Sequence, residues 1–249
     1  EALHLFDPRD ALRGRDGRLR LDYYLGRDAD LVTVDLLDSQ GQVIRSMKGD
    51  AKEKPKEMTA EEKLIEMFLG PTPRVSFKKG LNRLNWDLRH EGSVVFPGMI
   101  MWAAAPQRGP VAAPGTYSVR VTANGQTQTQ HFTIGIDPRL TGVTEADLHE
   151  QFKFAMQIRD KVSEANTAVV QVRSLRDQVK DRLEKVTPRR RAEIEKIVDA
   201  LMVPITAVEE EVYQVKLHAF EDPLNYPIKL NNKIAALAGV VGSADARPT

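Results

Sequence analysis

A chain of 249 residues with 41% apolar and 29% charged side chains has the composition of a folded globular protein, with material for one large or two ordinary domains. Lys plus Arg number 36 against 35 for Asp plus Glu, and the balance is local, with 16 basic and 17 acidic residues from Val143 onward. Neither part carries the basic surplus that phosphate neutralisation needs, so neither nucleic acid nor an anionic membrane surface is the expected partner. No apolar run approaches 18 residues, hence no membrane span is expected. Zero cysteines exclude disulfides, thiolate catalysis and Cys-ligated zinc or iron-sulfur sites. The chain opens on Glu1-Ala-Leu-His4 with neither Met nor a signal peptide, which reads as an excised fragment or a processed product.

Residues 1–140 read as β. Leu19 to Leu25 alternates in its first half, and Leu31 to Leu37 is rich in β-branched side chains. Asp38-Ser-Gln-Gly41 turns the chain into Gln42 to Met47, forming a hairpin with the preceding strand. Further strands are expected at Arg74 to Phe77, Leu81 to Leu88, Thr116 to Ala123 and Thr127 to Ile136. Asn124-Gly125 between the last two is a strong two-residue hairpin signal. Many short strands with frequent turns describe an immunoglobulin-like antiparallel β-sandwich. Two insertions lengthen it, at 48–72 and 91–114. The first holds a capping box, Thr59 with Glu62, opening a short helix with Leu64, Ile65, Phe68 and Leu69 on one face. The second is a loop rich in Pro, Gly and Ala that carries Phe96, Met99, Ile100, Met101 and Trp102.

Asp137-Pro-Arg139 marks the expected boundary, and residues 141–249 read as a long helical hairpin plus a short third helix. Thr144 and Asp147 cap a helix reaching to Val186, whose apolar positions from Leu148 onward recur at steps of three or four. Thr187-Pro188 breaks it and starts a second helix, expected to run to His218, with a seam through Ile194, Ile197, Leu201, Ile205, Val208, Val212 and Val215. So short a connection predicts antiparallel pairing, and Pro204 predicts a kink. A shorter helix from Lys229 to Val241 completes a three-helix bundle, and Gly242 to Thr249 reads as a loose tail. The fold class is α+β, in two domains.

Catalytic patterns are missing. His149-Glu150 opens like the zinc-protease helix motif, but Lys153 stands where the second histidine belongs. His131 reads as a surface residue, and His90, which follows the strand of Trp86, reads as structural. Ser93 lacks a nucleophile elbow, and no glycine loop for phosphate is present. Glu209, Glu210 and Glu211 look like a solvated face. Asp87 is expected to serve a turn or an arginine such as Arg89. Arg189-Arg-Arg191 reads as a solvated tip with Glu193 and Glu195 as partners. The apolar loop stays open between two readings, a lid on the sandwich core and a partner-docking surface formed by Phe96, Met99, Ile100, Met101 and Trp102. No cofactor, metal or catalytic residue is assigned.

The runs Gly80-Leu-Asn-Arg-Leu-Asn-Trp-Asp-Leu-Arg89, Phe96-Pro-Gly-Met-Ile100, Pro114-Gly-Thr-Tyr-Ser-Val-Arg-Val121, Asp137-Pro-Arg139 and Asp222-Pro-Leu-Asn-Tyr-Pro-Ile-Lys-Leu-Asn-Asn-Lys233 resemble a known family. The chain is similar to the C-terminal region of large secreted bacterial proteins whose N-terminal part is a sortilin-like β-propeller of BNR repeats, often labelled glycosyl hydrolase-like. The resemblance implies a propeller before this segment, more helix after it, and a secreted, periplasmic or envelope setting. It carries no catalytic residue onto this chain. The expected function is a non-enzymatic accessory or assembly module that makes protein-protein contacts with its own propeller, downstream chain or another subunit, with an oligomer among the outcomes. The alternative is a substrate-binding accessory domain of a propeller-type hydrolase acting on glycan or peptide, and a carbohydrate-binding sandwich ranks last.

Overall fold

Leu19, Leu21, Tyr23 and Leu25 point to one side of a strand and are all buried, while Arg20 and Tyr24 between them are exposed. That period of two places strand β3 (Leu19–Leu25) over a core. The computed structural model describes residues 2–14, 17–53, 58, 63, 66, 67, 70 and 73–248. The capping box at Thr59 and Glu62, and the helix face of Leu64, Ile65, Phe68 and Leu69, lie outside the described residues.

Strand β3 pairs antiparallel with β1 (Leu3–Leu5) on one side and β6 (Gly80–Trp86) on the other. A second sheet runs in the order β2 (Ala11–Leu12), β10 (Gln126–Gly135), β9 (Gly115–Ala123), β4 (Leu31–Leu37), β5 (Val43–Asp50). Within this sheet the β2–β10 pair is parallel and the other pairs are antiparallel. The first segment of the chain therefore contributes one strand to each sheet, and the inner faces enclose Trp86, Tyr23, Val34, Val119, Val121 and Phe132. Tyr117, near the start of β9, donates its hydroxyl to the carbonyl of Ala113 at 2.9 Å, the corner that marks immunoglobulin-like sandwiches. The expected immunoglobulin-like layout is thus present, without a disulfide. Asn124 and Gly125 have φ of 52° and 77°, as a tight β9–β10 turn requires, and register runs from Ala123 opposite Gln126.

Two expectations for the strands change. Residues 74–77 do not form a strand, because the Ser76 carbonyl accepts the Tyr23 hydroxyl at 2.5 Å and the Phe77 carbonyl accepts the Ala29 amide at 2.9 Å. β6 stops at Trp86 rather than Leu88. Leu88 is buried with φ of 57°, a left-handed conformation uncommon for leucine, and the turn is held by Asp87, which accepts from Arg45 at 3.0 Å and from the Arg89 amide at 3.3 Å. Arg45 is a side-chain partner of Asp87, and Arg89 donates to the carbonyl of Gly109 at 2.9 Å. A short ribbon of β7 (Arg89–Glu91) and β8 (Arg108–Val111) follows. A Cβ on Gly109 would stand 2.1 Å from the His90 carbonyl oxygen, so only glycine fits there.

Among the described residues after the strands lie three α-helices, α1 (Glu145–Glu184), α2 (Pro188–Val212) and α3 (Leu230–Val241). The cap of α1 is reciprocal, since the Thr144 amide and hydroxyl donate to Asp147 and the Asp147 amide donates back to the Thr144 hydroxyl. α2 ends six residues before the expected His218, because Tyr213 turns into an extended conformation with φ of −129° and buries its ring. Thr187 caps α2 by position alone, with no side-chain hydrogen bond.

By its contacts the chain divides into two compact units. One comprises Glu1–Glu91, Gly109–Phe154 and Gly242–Thr249, and the other Gly92–Arg108 and Ala155–Val241. Where the sequence reading placed one cut at residue 140, the chain passes between the units four times. Most of the second insertion belongs with the helices. The tail is not loose. Buried Arg13 donates through Nε to Asp245 at 2.8 Å, through Nη1 to the Ala112 carbonyl at 3.1 Å, and through Nη2 to Gln151, which in turn donates to the Ala244 carbonyl at 2.7 Å. A buried guanidinium needs such partners, and the tail supplies one of them directly through Asp245 and holds another, Gln151, through Ala244.

Backbone amides and arginines set the acid limit of this fold. Asp137, gripped by Arg139, is held down at about 2, and backbone donors at Thr133 and at His218 and Ala219 lower Asp10 and Asp222. The Thr144 hydroxyl and amide lower Asp147. Carboxyls lowered in the folded state contribute stability that is fully present above their unfolded value near 4 and is lost as pH falls through the folded values. The urea midpoint is accordingly expected to be flat from pH 7 to 5 and to fall between pH 4 and 2, with Asp137→Asn reducing the slope. A midpoint unchanged down to pH 2 would contradict this assignment.

Candidate docking surface of the helical unit

Phe96, Met99, Ile100, Met101 and Trp102 are brought together, but mostly inside the helical unit. Met101 packs with Ile158, Val162 and Ala235, and Phe96 with Val169 and Tyr213, while Met99 touches both clusters. Phe96, Ile100 and Met101 are buried, and Trp102 is 37% exposed, its ring tilted against Phe220 at 5.7 Å. Within this unit the loop is therefore not a free apolar surface. It supplies core side chains that the helices lack.

Amides fix its backbone. Asn166, on the buried face of α1, donates to the Val94 carbonyl at 2.6 Å and accepts from Asn231 at 2.9 Å. Asn232 accepts from the Trp102 amide at 2.7 Å and donates to the Trp102 carbonyl at 2.9 Å. The Tyr213 hydroxyl takes the Ile100 amide at 3.1 Å. Sequence reasoning passed over this network. Its one visible signal was Asn166 four residues after Val162 and three before Val169, a polar residue on an apolar seam, which in helical assemblies fixes register.

Glu209 departs furthest from expectation. It is 2% exposed and receives Arg173 and Arg176 of α1, each at 2.8 Å. The Arg173 guanidinium also lies over the Phe96 ring, 4.7 Å from its centroid, and Phe96 meets Tyr213 edge-on at 5.1 Å. Glu210 and Glu211 do remain exposed. The arginine tip agrees with its reading, with Arg191 paired to Glu195 at 2.8 Å.

Past this anchor, burial stops. No residue from Val170 to Val208 is buried, although the stretch includes the distal part of α1 and nearly all of α2. Leu175, Val179, Leu183 and Val186 face Ile194 and Val198 across an open, apolar groove of about 270 Å³. The expected seam of α2 is covered in part: Ile194, Ile205, Val212 and Val215 are half-buried, but Ile197, Leu201 and Val208 are 64%, 50% and 51% exposed, while Val198, Met202 and Glu209 are covered beside them. Together with exposed Pro204, Ile197, Leu201 and Val208 form an uncovered apolar stripe. Arg189, Arg190 and Arg191 begin α2 and Glu209, Glu210 and Glu211 end it, with no acid in the first turn and no base in the last. Both ends carry the charge that opposes the helix macrodipole, a cost of about 0.3–1 kcal/mol for each exposed group.

The histidines assemble no site. His131 and His149 are exposed, and His90 is buried with its ring 4.7 Å from Phe152. Among the described residues no group of three or more His, Asp or Glu is placed to hold a metal ion. Among them, too, no helix is long and apolar enough to cross a membrane.

No protein-family model matches the chain, and no curated protein does. Among solved structures it is similar to the titin domains Z1Z2 in complex with telethonin, at 15% identity and a TM-score of 0.26 over 55% of this chain and 48% of that one. It is also similar to the M1 domain from titin, at 8% identity and a TM-score of 0.26 over 57% and 100% of the two chains. A third likeness is to CopC from Methylosinus trichosporium OB3b, at 13% identity and 0.25 over 56% and 99%. The match spans about half the length of the titin double-domain chain, and likenesses this weak carry no functional inference.

Proposed function

We propose that the chain is a non-enzymatic accessory or assembly module, working through protein-protein contacts made by its helical unit. The observation that carries this reading is the stretch from Val170 to Val208, in which apolar side chains recur at helical spacing and none is buried. Helices of this kind draw their stability from covering an apolar face, and a stripe left open marks a place where another protein completes the packing. In this reading α1 and α2 form an antiparallel hairpin, a layout supported by the two arginine contacts to Glu209 and by the groove between Leu183 and Ile194. The resemblance to the C-terminal region of secreted, propeller-bearing bacterial proteins supports placing the module in the cell envelope or outside the cell, next to a propeller.

The chain contains no cysteine, so a single introduced thiol reports one position. Ile197→Cys carrying a photoactivatable cross-linker, in cells that make the protein, is expected to give protein adducts that the same label at exposed His131→Cys does not. Equal yields from the two positions would refute the reading.

A second reading, a substrate-binding accessory domain of a hydrolase, draws on the half-exposed Trp102 and Phe220 pair, which offers aromatic faces to a sugar ring or a peptide.

A further inference from the structure

We infer that the partner on the open face of α2 is a second copy of this chain, with the two α2 helices antiparallel about a two-fold axis near Ala200 and Leu201. This rests on the reading of the arm as a protein-contact surface. Along that face the residues are Arg190, Ile197, Leu201, Pro204, Val208 and Glu211, at steps of seven, four, three, four and three, so they form one continuous stripe. Its two ends are oppositely charged and exposed, and its interior is apolar. A two-fold axis through the middle of such a stripe sets Arg190 of each copy against Glu211 of the other, with Ile197 facing Pro204 between them. A parallel pairing would set arginine on arginine and glutamate on glutamate. The stripe is self-complementary in one orientation only, which is the requirement of an isologous interface.

The helix's own charge placement points the same way. Within one chain, arginines at the N-terminus and glutamates at the C-terminus of α2 both oppose its macrodipole. An antiparallel neighbour reverses this, because each charged end then lies beside the dipole end and the side chains of opposite sign. Among the described residues no ion pair engages Arg190 or Glu210, and Glu211 reaches only Lys229, at 4.0 Å. These charges are therefore at hand for a partner. Four apolar side chains per helix put the contact at the small end of specific interfaces, below roughly 1,200 Å² in total, so the dimer forms and dissociates with concentration.

Sedimentation velocity of the whole chain over a wide concentration range tests this. The wild type is expected to pass from monomer to dimer, with the midpoint rising as salt is added. Arg190→Glu and Glu211→Arg should each raise the midpoint by about tenfold, and the double variant Arg190→Glu/Glu211→Arg should restore it, an outcome that misfolding does not produce. Leu201→Glu, checked for helix content by circular dichroism, should leave only monomer. Orientation follows from oxidising an equimolar mixture of Arg190→Cys and Glu211→Cys chains, which should give the mixed disulfide while neither variant alone gives its own. A chain monomeric at every concentration, a dimer indifferent to Leu201→Glu, or disulfide formation by Arg190→Cys alone would each overturn the inference. Photo-cross-linking separates the two levels: adducts at Ile197→Cys to a different protein, with a monomeric chain, overturn the second copy and keep the contact surface. No adduct above the His131→Cys control overturns both.

Discussion

Phe96→Ala is expected to destabilise the helical unit by about 3–5 kcal/mol, the range for removing a buried aromatic ring. The ring is buried against Val169 and Tyr213 and lies under the Arg173 guanidinium. Its loss opens a cavity, removes the edge-on contact to Tyr213 and takes the cation-π contact from the arginine that neutralises Glu209. The loop and the helix ends share these contacts, so both should loosen together. Hydrogen exchange would show protection falling at 94–102 and at 209–214 in the same variant, with the β9–β10 hairpin unchanged. Loss of protection confined to the loop would mean that the helices hold without it, contrary to the packing described above. By comparison Ile197→Ala, on the open stripe, should change the stability of the monomer by less than about 0.5 kcal/mol.

The second large effect is electrostatic. Arg173→Met with Arg176→Met removes both cations from a carboxylate that is 2% exposed, and the cost expected for an uncompensated buried charge is about 3–5 kcal/mol. Glu209→Gln should cost less, about 1–2 kcal/mol, because the amide keeps an acceptor for the arginines, and those are a third or more exposed and recover water. This asymmetry is the useful part of the comparison. Urea denaturation of the three proteins would show it, and equal losses from the double-arginine and the glutamine variants would mean that Glu209 is solvated after all. Adding Glu209→Leu to the arginine pair should recover much of the loss, since an apolar trio in place of a buried ion triad is often neutral or better.

Much of the fold was legible because its determinants are local. The alternation in Leu19–Leu25 and Leu31–Leu37 fixes both strands residue for residue. Asn124-Gly125 supplies the two positive φ values its turn needs, and Thr144 with Asp147 starts α1 at the expected place. What was not legible depends on residues far apart in the chain. Glu209 reads as one of three solvated acids until Arg173 and Arg176, on another helix, are seen to reach it. For the same reason the seam of α2 was legible only in part: Ile194, Ile205, Val212 and Val215 are half-buried as counted, Ile197, Leu201 and Val208 are not, and the covered face also takes in Val198, Met202 and a glutamate that an apolar count discards. Phe96 to Trp102 were recognised as an apolar cluster, but their neighbours, Ile158, Val169, Tyr213 and Asn232, come from all three helical segments and left no trace at short range. Tail residues Ala244 and Asp245 look disposable until buried Arg13 and Gln151 claim them.

The account turns on which apolar residues are used up inside the helical unit and which are left for a partner. Thiol labelling of single-cysteine variants of the dilute, monomeric chain measures this directly, because no native cysteine competes. Met101→Cys and Ile100→Cys should react slowly, at rates set by opening of the unit. Ile197→Cys and Leu201→Cys should react nearly as fast as an unfolded peptide, and rising concentration should slow them. Fast labelling at 100 and 101 together with protection at 197 and 201 in the monomer would contradict the account: the loop, and not the outer face of α2, would then be the docking surface.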